Sequence, residues 1–518
     1  MATPAAKLAS SLAALHQLQD NHIIAIRSAD LSRTHRERLV KNGFLQEVIK
    51  GWYLPARPDE TPGDSTTWYA SFWAFCSAYL THLRGDEWCL SPEQSIAIHA
   101  ENWTVPKQLL VRADKARNNI TALPHGTSLL EVSASLPDAQ NVMKKNGVRL
   151  FSLPAALVRS GAQIYKNNAT DMRTALSMVD DAAELLNLLL KGGHSIIAGR
   201  LAGALRNIGH KQIAEEILQT MKAAGYTVRE QDPFETQSKL HILKRSRSPY
   251  VYRIRLLWQD MRATVIEIFP RPPVQKPPVA AYLKDVEKIY TSDAYHSLSI
   301  EGYRVTPDLI NRVRSGDWNP ETNQDDHQRL NALAARGYWQ AYQAMQKSIE
   351  RILSGEKAAT VIDSDHRIWY REMFAPGVTA GIHQPVDLAG YRNQPVFIRR
   401  SMHVPPSKDA VRDAMPAFFE LLKDEEDPAV RVVLGHFISV YIHPYRDGNG
   451  RIARFLMNAM LASGGYPWLT IPIHQRDAYM AALEQASVNE HIAPFATFLG
   501  QLVQAQLDGK GEPAIPDD

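Results

Sequence analysis

Residues 443–454 read His-Pro-Tyr-Arg-Asp-Gly-Asn-Gly-Arg-Ile-Ala-Arg. This stretch gathers a base, an acid, an amide, two glycines and two spaced arginines. An apolar segment, residues 429–442, leads into it, and another helical segment starts near Arg451, so the pattern predicts a turn between two helices. The turn then lies at the N-terminus of the second helix, where unpaired backbone N–H groups and the helix dipole favour an anion.

The side chains of the turn indicate which anion it holds. Gly448 and Gly450 let the backbone turn sharply and approach a phosphate closely. Arg451 and Arg454 are three residues apart, so both project from one side of the helix and form a cradle for a polyphosphate.

Three further side chains of the turn suit chemistry at that polyphosphate. Asp447 supplies a single carboxylate, which together with phosphate oxygens is a common way to hold Mg²⁺. His443 can accept a hydroxyl proton at neutral pH. The side-chain amide of Asn449 can donate to a phosphate oxygen.

The stretch resembles the Fic motif, H-x-F-x-[D/E]-G-N-G-R-x-x-R, and departs from it only at Tyr445, where Phe is usual. Tyr keeps the apolar ring that we expect to pack under the turn. The resemblance covers roughly residues 285–505. Fic proteins mostly transfer AMP from ATP to a hydroxyl of a target protein. The resemblance therefore implies a protein adenylyltransferase (AMPylator, a nucleotidyltransferase) that acts on a Tyr, Ser or Thr side chain.

The resemblance also implies a role for each motif position. His443 would deprotonate the target hydroxyl, and Asp447 would bind a Mg²⁺ ion that bridges the α- and β-phosphates. Arg451 would contact the β-phosphate and Arg454 the γ-phosphate. The positions implied to bind ATP are Arg446, Asp447, Gly448, Asn449, Gly450, Arg451 and Arg454. Those implied to act in catalysis are His443, Asn449 and Arg454.

Two upstream segments complete the predicted site. Ser297-Leu-Ser-Ile-Glu301-Gly302 resembles the Fic inhibitory motif, [S/T]-x-x-x-E-[G/N], which implies that Glu301 pairs with Arg454 and takes the charge that the γ-phosphate needs. A plain helix cap is the alternative, and whether Glu301 also supports removal of AMP stays open.

The other segment is the β-prone run Pro395-Val396-Phe397-Ile398, which predicts a strand with an exposed edge. It resembles the Fic flap, which docks the target over His443. An ordinary hairpin that packs its own core is the alternative.

The N-terminal residues predict a different kind of module. Residues 1–60 follow the order of a winged helix-turn-helix, with a stop at Asn42-Gly43 and a wing that turns at Lys50-Gly51. The basic residues on or near the second helix are Arg33, Arg36, Arg38 and Lys41. They indicate contacts with DNA phosphates and base edges, or else a basic face of a protein-docking module.

The remaining segments give the domain plan. Residues 61–230 mix strands and helices, and the patterns at 50–53 and 91–99 resemble the AbiEi-like winged-helix antitoxins, which implies a toxin–antitoxin setting. Residues 231–280 are predicted as a connector, stiffened by prolines between 269 and 279. Residues 281–510 form the Fic domain with its inhibitory helix. The predicted fold is α+β and mainly α: an all-α Fic core with a short β-hairpin flap, a winged helix and a small α/β region.

The composition of the chain excludes several classes of protein. The 518 residues include 58 Lys and Arg and 55 Asp and Glu, a net charge of +3, which excludes a protein that coats nucleic acid. Two cysteines exclude a disulfide scaffold and fit the cytoplasm. The uncharged run 65–83 contains many hydroxyl groups, so we expect a buried helix and no membrane contact.

Three classes of function stay open. The first is an autoinhibited enzyme that uses ATP and Mg²⁺ on a target protein. The second is a DNA-binding regulator whose Fic part senses nucleotide. The third is a Fic enzyme that moves UMP, phosphocholine or phosphate. Fic proteins and winged-helix modules often work in pairs, which favours a homodimer.

Overall fold

The computed structural model describes residues 3–60, 63–236, 248–318, 329–510 and 513–516 of the chain. It separates into two compact units. The first comprises Met1–Pro249 and Phe397–Val404, and the second comprises Tyr250–Val396 and Pro405–Asp518. The strands of the described residues all lie in the first unit, and the second is helical, so the fold is α+β and mainly α as predicted.

The first unit begins with two helices and a small antiparallel sheet of strand order β1-β3-β2. Ser32 starts the second helix by accepting a hydrogen bond from the N–H of His35, and Gly51 turns the wing with a positive φ of 82°. These elements follow the predicted order of two helices and a two-stranded hairpin, and the structure adds the short strand β1. They are α1 (Pro4–Asp20), β1 (Ile26–Arg27), α2 (Arg33–Lys41), β2 (Leu45–Ile49) and β3 (Trp52–Pro55).

A four-stranded sheet and a hairpin follow. The sheet has the order β4-β5-β7-β6, in which β5 and β7 are parallel, and β8 pairs with β9. The elements are α3 (Thr66–Arg84), β4 (Cys89–Leu90), α4 (Pro92–His99), β5 (Gln108–Ala113), β6 (Ile120–Ala122), β7 (Ser128–Ser133), β8 (Val142–Lys145) and β9 (Val148–Phe151). Trp68, Phe72 and Phe75 of α3 are buried in the core against this sheet. No helix in the described part of the chain has the length and apolar character that a membrane crossing needs.

In the described part of the first unit, six further helices surround their own apolar core. Gly193, Gly209 and Gly225 follow three of them with positive φ angles, which suits residues without a Cβ. The helices are α5 (Leu153–Arg159), α6 (Ile164–Asn167), α7 (Ala169–Ser177), α8 (Ala183–Gly192), α9 (Ser195–Asn207) and α10 (Lys211–Ala223).

The second unit packs its helices around α17 and α18, whose residues are almost all buried. The helices are α11 (Pro249–Ile268), α12 (Val279–Ile300), α13 (Pro307–Ser315), α14 (Arg329–Leu353), α15 (Ala358–Thr379), α16 (Lys408–Asp424), α17 (Pro428–Ile442), α18 (Asn449–Gly464), α19 (Arg476–Val488) and α20 (Ala493–Leu507). Helix α11 lies inside the predicted connector 231–280. It is helical because Ile254, Leu257 and Met261 recur at helical spacing and are buried in the core.

The predicted flap strand is wrong in its secondary structure. Residues 395–398 belong to no sheet among the described residues. Pro395 has no N–H to give to a ladder. Just beyond, the segment is held by other contacts inside the first unit: Arg399 Nε donates to Asp64 Oδ2 at 3.0 Å, and the N–H of Arg400 donates to Thr66 Oγ1 at 3.0 Å. These contacts fix an irregular path that a β-prone composition cannot reveal.

Candidate active site

The turn predicted from residues 443–454 joins α17 to α18 within the second unit. His443 ends α17 in the left-handed region, with φ of 52°, and Gly448 precedes α18 with φ of 77°. A Cβ on Gly448 would lie 2.7 Å from the ring of Phe374, so both the backbone angle and the packing require glycine there.

Asn449 holds the turn together from inside. Its Oδ1 accepts from the N–H of Tyr445 at 2.8 Å, and its Nδ2 donates to the carbonyl of Tyr445 at 2.9 Å. We expected this amide to donate to a phosphate. In this structure the buried side chain bonds to the main chain of the turn and stabilises its shape, and the contact with a phosphate stays a prediction.

His443 is arranged as a base. Its Nδ1 lies 3.2 Å from the carbonyl oxygen of Val440, and because a carbonyl only accepts, Nδ1 carries the hydrogen and Nε2 keeps its lone pair. Burial, aided by the nearby charge of Arg392, lowers the pKa of His443 to about 4. The imidazole is therefore neutral at physiological pH and able to accept a proton.

Two buried arginines border the start of α18. Arg451 and Arg454 are only 2% and 4% exposed. The guanidinium of Arg451 lies 5.2 Å from the ring centres of both Tyr303 and Phe374. Arg451 Nε and Arg454 Nη1 are buried and have no hydrogen-bond partner among the described residues. Buried donors without a partner are costly, so these two nitrogens mark a place for an acceptor.

Helix α12 places a carboxylate against one of these arginines. Arg454 Nη2 donates to Glu301 Oε1 at 2.7 Å and to the carbonyl of Ser297 at 2.9 Å, and Arg454 Nε donates to Ser297 Oγ at 3.0 Å. Burial alone would raise the pKa of Glu301, but the charges of Arg454 and Arg451 hold it below its ordinary value. The carboxylate is therefore ionised in this pair.

Two glycines make room for this pair. Gly302 follows Glu301 with φ of 93°, which lets the chain leave α12 immediately after the carboxylate. A Cβ on Gly450 would lie 2.5 Å from Glu301 Oε1, so a larger residue there would displace the carboxylate.

The remaining polar residues of the turn lie at its rim. The Asp447 side chain is 55% exposed, accepts from the N–H of Gly448 at 2.6 Å and lies 3.5 Å from Arg451 Nη2. Arg446, predicted to bind nucleotide, pairs with Asp387 at 2.7 Å. Among the described residues, no group of three or more His, Cys, Asp or Glu side chains could hold a metal. The exposed Asp447 carboxylate fits a metal that takes its other ligands from a substrate.

Tyr445 occupies the place where the Fic motif has Phe. Its buried ring stacks on Tyr370 with centres 3.9 Å apart and planes 9° apart, so the ring packs under the turn as expected. Its hydroxyl is buried without a partner among the described residues.

The second unit thus brings together the residues of the 443–454 turn and the residues of the predicted inhibitory motif, Ser297, Glu301 and Gly302. The predicted flap residues are divided: Pro395 and Val396 belong to the second unit, and Phe397 and Ile398 to the first. Sequence reasoning missed the part played by Phe374 and Tyr303, because nothing in their local sequence signals contact with a motif arginine.

Comparison with known proteins gives the class of this site. Residues 366–461, which lie in the second unit apart from Phe397–Val404, match the sequence model of the Fic/DOC family. A protein of Nematostella vectensis named protein adenylyltransferase Fic is 30% identical over 228 residues, which cover 43% of this chain and 49% of that protein. A protein of the same name from Drosophila virilis is 34% identical over 128 residues, covering 24% and 26%.

The chain therefore spans about half, or less, of the length of the curated relatives it matches. Among solved structures, Fic-1 from C. elegans aligns with 66% of this chain and 91% of its own, with 18% identity and a TM-score of 0.37.

Proposed function

We propose that this chain is a protein adenylyltransferase that transfers AMP from ATP to a hydroxyl side chain of a target protein. The observation that carries the proposal is the pair of buried donors, Arg451 Nε and Arg454 Nη1, which lack partners among the described residues, together with a histidine whose Nε2 keeps its lone pair. The names of the two curated relatives support adenylyl transfer as the reaction.

The proposed reaction follows from these positions. The phosphates of ATP lie at the N-terminus of α18, where free N–H groups and the two arginines neutralise their charge. Nε2 of His443 takes the proton of the target hydroxyl as its oxygen bonds to the α-phosphorus. The bond from that phosphorus to the bridging oxygen breaks, and pyrophosphate leaves. Asp447 would hold Mg²⁺, which supplies further charge neutralisation on the phosphates.

We propose that Glu301 inhibits this reaction. Arg454 is the arginine expected at the γ-phosphate, and Glu301 already occupies its Nη2. A γ-phosphate would meet a carboxylate there, and two negative groups cannot share one guanidinium nitrogen without cost. ATP would then bind with its α-phosphate misplaced for attack.

For the target, we propose docking along residues 395–398. The main-chain N–H groups of Val396, Phe397 and Ile398 make no hydrogen bond among the described residues. Phe397 is also exposed. An extended target segment can pair with such a free edge without any preformed strand. We propose the cytoplasm as the location, since Cys76 and Cys89 are both unpaired.

Incubation with differently labelled ATP tests the function. The Glu301→Gly chain with Mg²⁺ should acquire label, on itself or on a cell-extract protein, from ATP labelled at the α-phosphate and not from ATP labelled at the γ-phosphate. Label from the γ-phosphate alone would show that the protein transfers phosphate and not AMP. No label from either would contradict a transferase.

DNA binding by residues 1–60 is the second candidate function. It is favoured by the order of elements along the chain, in which helix α2 is followed by the β2–β3 hairpin. Arg33 and Lys41 lie exposed on α2, and Arg33 pairs there with Glu37 at 2.7 Å. Arg36 donates to the carbonyl of Ser28 and Arg38 to that of Lys7. A gel shift with the full chain and its own upstream DNA, compared with the Arg33→Gln/Lys41→Gln variant, tests this role and the toxin–antitoxin setting. Light scattering of the same samples tests the homodimer.

A further inference from the structure

Arg392 occupies an unusual place next to the turn. It is only 4% exposed, and its side chain donates to three carbonyl oxygens. Its Nε reaches His443 O at 2.8 Å, Nη1 reaches Gln394 O at 3.1 Å, and Nη2 reaches Pro406 O. Its own N–H donates to Pro444 O at 2.9 Å. The residue therefore binds two consecutive residues of the turn through its main chain and its side chain.

The main chain that Arg392 holds is strained. His443 has φ of 52°, a left-handed conformation that is unfavourable for a residue with a Cβ and persists only when its surroundings enforce it. The N–H of His443 donates to Ser439 O at 3.1 Å, which closes the end of α17. Arg392 holds the next peptide unit, on the other side of the His443 Cα, since it binds His443 O. The direction of the imidazole depends on this backbone conformation.

Gln394 and Pro406 flank the proposed docking residues 395–398. One guanidinium thus joins both ends of the segment 394–406 and the carbonyl of the proposed general base. A lysine could not replace it, because an ammonium lacks the planar fork that reaches three separated acceptors.

We propose that Arg392 is a positioning residue that fixes the His443 imidazole and the ends of the target-docking segment in a single hydrogen-bond network. This inference rests on the proposed AMP transfer. Among the described residues, the hydrogen-bond partners of Arg392 are carbonyls at 394, 406, 443 and 444, and none of them belongs to the proposed phosphate cradle. The loss of Arg392 should therefore slow the transfer step and leave ATP binding intact. A misplacement of about 1 Å can cost about 100-fold in rate.

The test compares Arg392→Lys and Arg392→Met in the Glu301→Gly background, with steady-state AMP transfer at varied ATP. We expect kcat to fall about 100-fold for Arg392→Met and less for Arg392→Lys, with KM for ATP changed less than about twofold. Arg262→Met is the matched control. It removes an arginine of the same unit that is paired with Glu425, so it measures the effect of lost stability alone.

A second readout does not need activity. In ¹⁵N-histidine spectra, the His443 signal, identified by its loss in His443→Asn, should show hydrogen on Nδ1 in the parent and a mixture of tautomers in Arg392→Met. If Arg392→Met keeps both the parent tautomer and a kcat within about threefold, or if Arg262→Met lowers kcat equally at equal stability, the positioning role is wrong. If the Glu301→Gly parent transfers no AMP, the proposed function fails instead, and the tautomer comparison still decides the role of Arg392.

Discussion

Arg454 donates from Nη2 to Glu301 Oε1 at 2.7 Å, although the two residues are separated by 153 positions in the chain. The pair joins the end of α12 to the second turn of α18. It satisfies one nitrogen of a buried guanidinium and leaves another, Nη1, without a partner among the described residues. This partly satisfied arginine is the physical basis for the proposal that Glu301 inhibits the site while Nη1 stays available to a phosphate.

Removing the charge of Glu301 should therefore activate the protein. A hydrogen bond to a charged group is worth about 1.5–3 kcal/mol, so Glu301→Gln should raise the rate of AMP transfer about 10- to 100-fold. The matched control is Glu287→Gln, which removes a surface carboxylate of the same helix that pairs with Arg314 at 3.0 Å. Equal rates for wild type, Glu301→Gln and Glu287→Gln would contradict inhibition by Glu301.

Helix α12 is also anchored by a buried carboxylate. Asp293 accepts from Tyr338 at 2.6 Å, Trp468 at 2.9 Å and Thr470 at 3.0 Å. Asp293→Ala leaves these buried donors without an acceptor, each costing about 1–3 kcal/mol. The free energy of unfolding in urea should fall by about 3 kcal/mol or more, and AMP transfer should rise as α12 loosens.

Asp285→Ala is the control for this effect. It removes an exposed carboxylate of α12 that pairs with Lys288, and it should change the free energy of unfolding by less than about 1 kcal/mol. If the two alanine variants are equally stable, Asp293 does not anchor the helix.

The hydroxyl of Tyr445 should contribute nothing to stability. It is buried without a partner among the described residues, whereas the hydroxyl of the stacked Tyr370 donates to Asp387 O at 3.1 Å. Tyr445→Phe should leave the free energy of unfolding unchanged or raise it by about 1 kcal/mol, and Tyr370→Phe should lower it by about 1 kcal/mol. A loss in Tyr445→Phe as large as that in Tyr370→Phe would show that the hydroxyl has a partner.

Mild acid should destabilise the second unit because it contains buried, neutral histidines. Burial lowers the pKa of His366 and His443 to about 4 and that of His436 to about 3. Below about pH 6.5 the unfolded chain binds protons at these positions and the folded chain does not, so stability is lost as the pH falls towards these lowered values.

Between about pH 6.5 and its lowered pKa, each of these histidines should reduce the free energy of unfolding by about 1.4 kcal/mol per pH unit. The measurement is urea unfolding between pH 7 and pH 5, followed by tryptophan fluorescence. The urea concentration at the midpoint of unfolding should fall as the pH is lowered. A midpoint that stays constant between pH 7 and pH 5 would contradict the neutral, buried state of these rings.

The part of the site that sequence predicted best is the part that is local in the chain. The turn, the helices on both sides and the ring of Tyr445 under it follow from residue types within about thirty positions, where helix periodicity and glycine geometry act directly. The approach of Glu301 to Arg454 is a long-range contact, and it was expected only through the resemblance of two separate motifs.

Other features depend on packing that the sequence does not display. The β-prone residues 395–398 form no strand because neighbouring side chains fix a different path. Asn449 turns inward because the main chain of Tyr445 offers it both a donor and an acceptor. The role of Arg392 depends on carbonyls up to 52 positions away, and a single arginine in a sequence gives no sign of such partners.

The most direct test of the central claim is intact mass spectrometry of two variants expressed in cells, Glu301→Gly and Glu301→Gly/His443→Ala. The proposed chemistry predicts that the first gains the mass of AMP, on itself or on a co-purified protein, and that the second gains none, because no base remains to take the hydroxyl proton. An AMP adduct of equal abundance in both variants, or in neither, would contradict it.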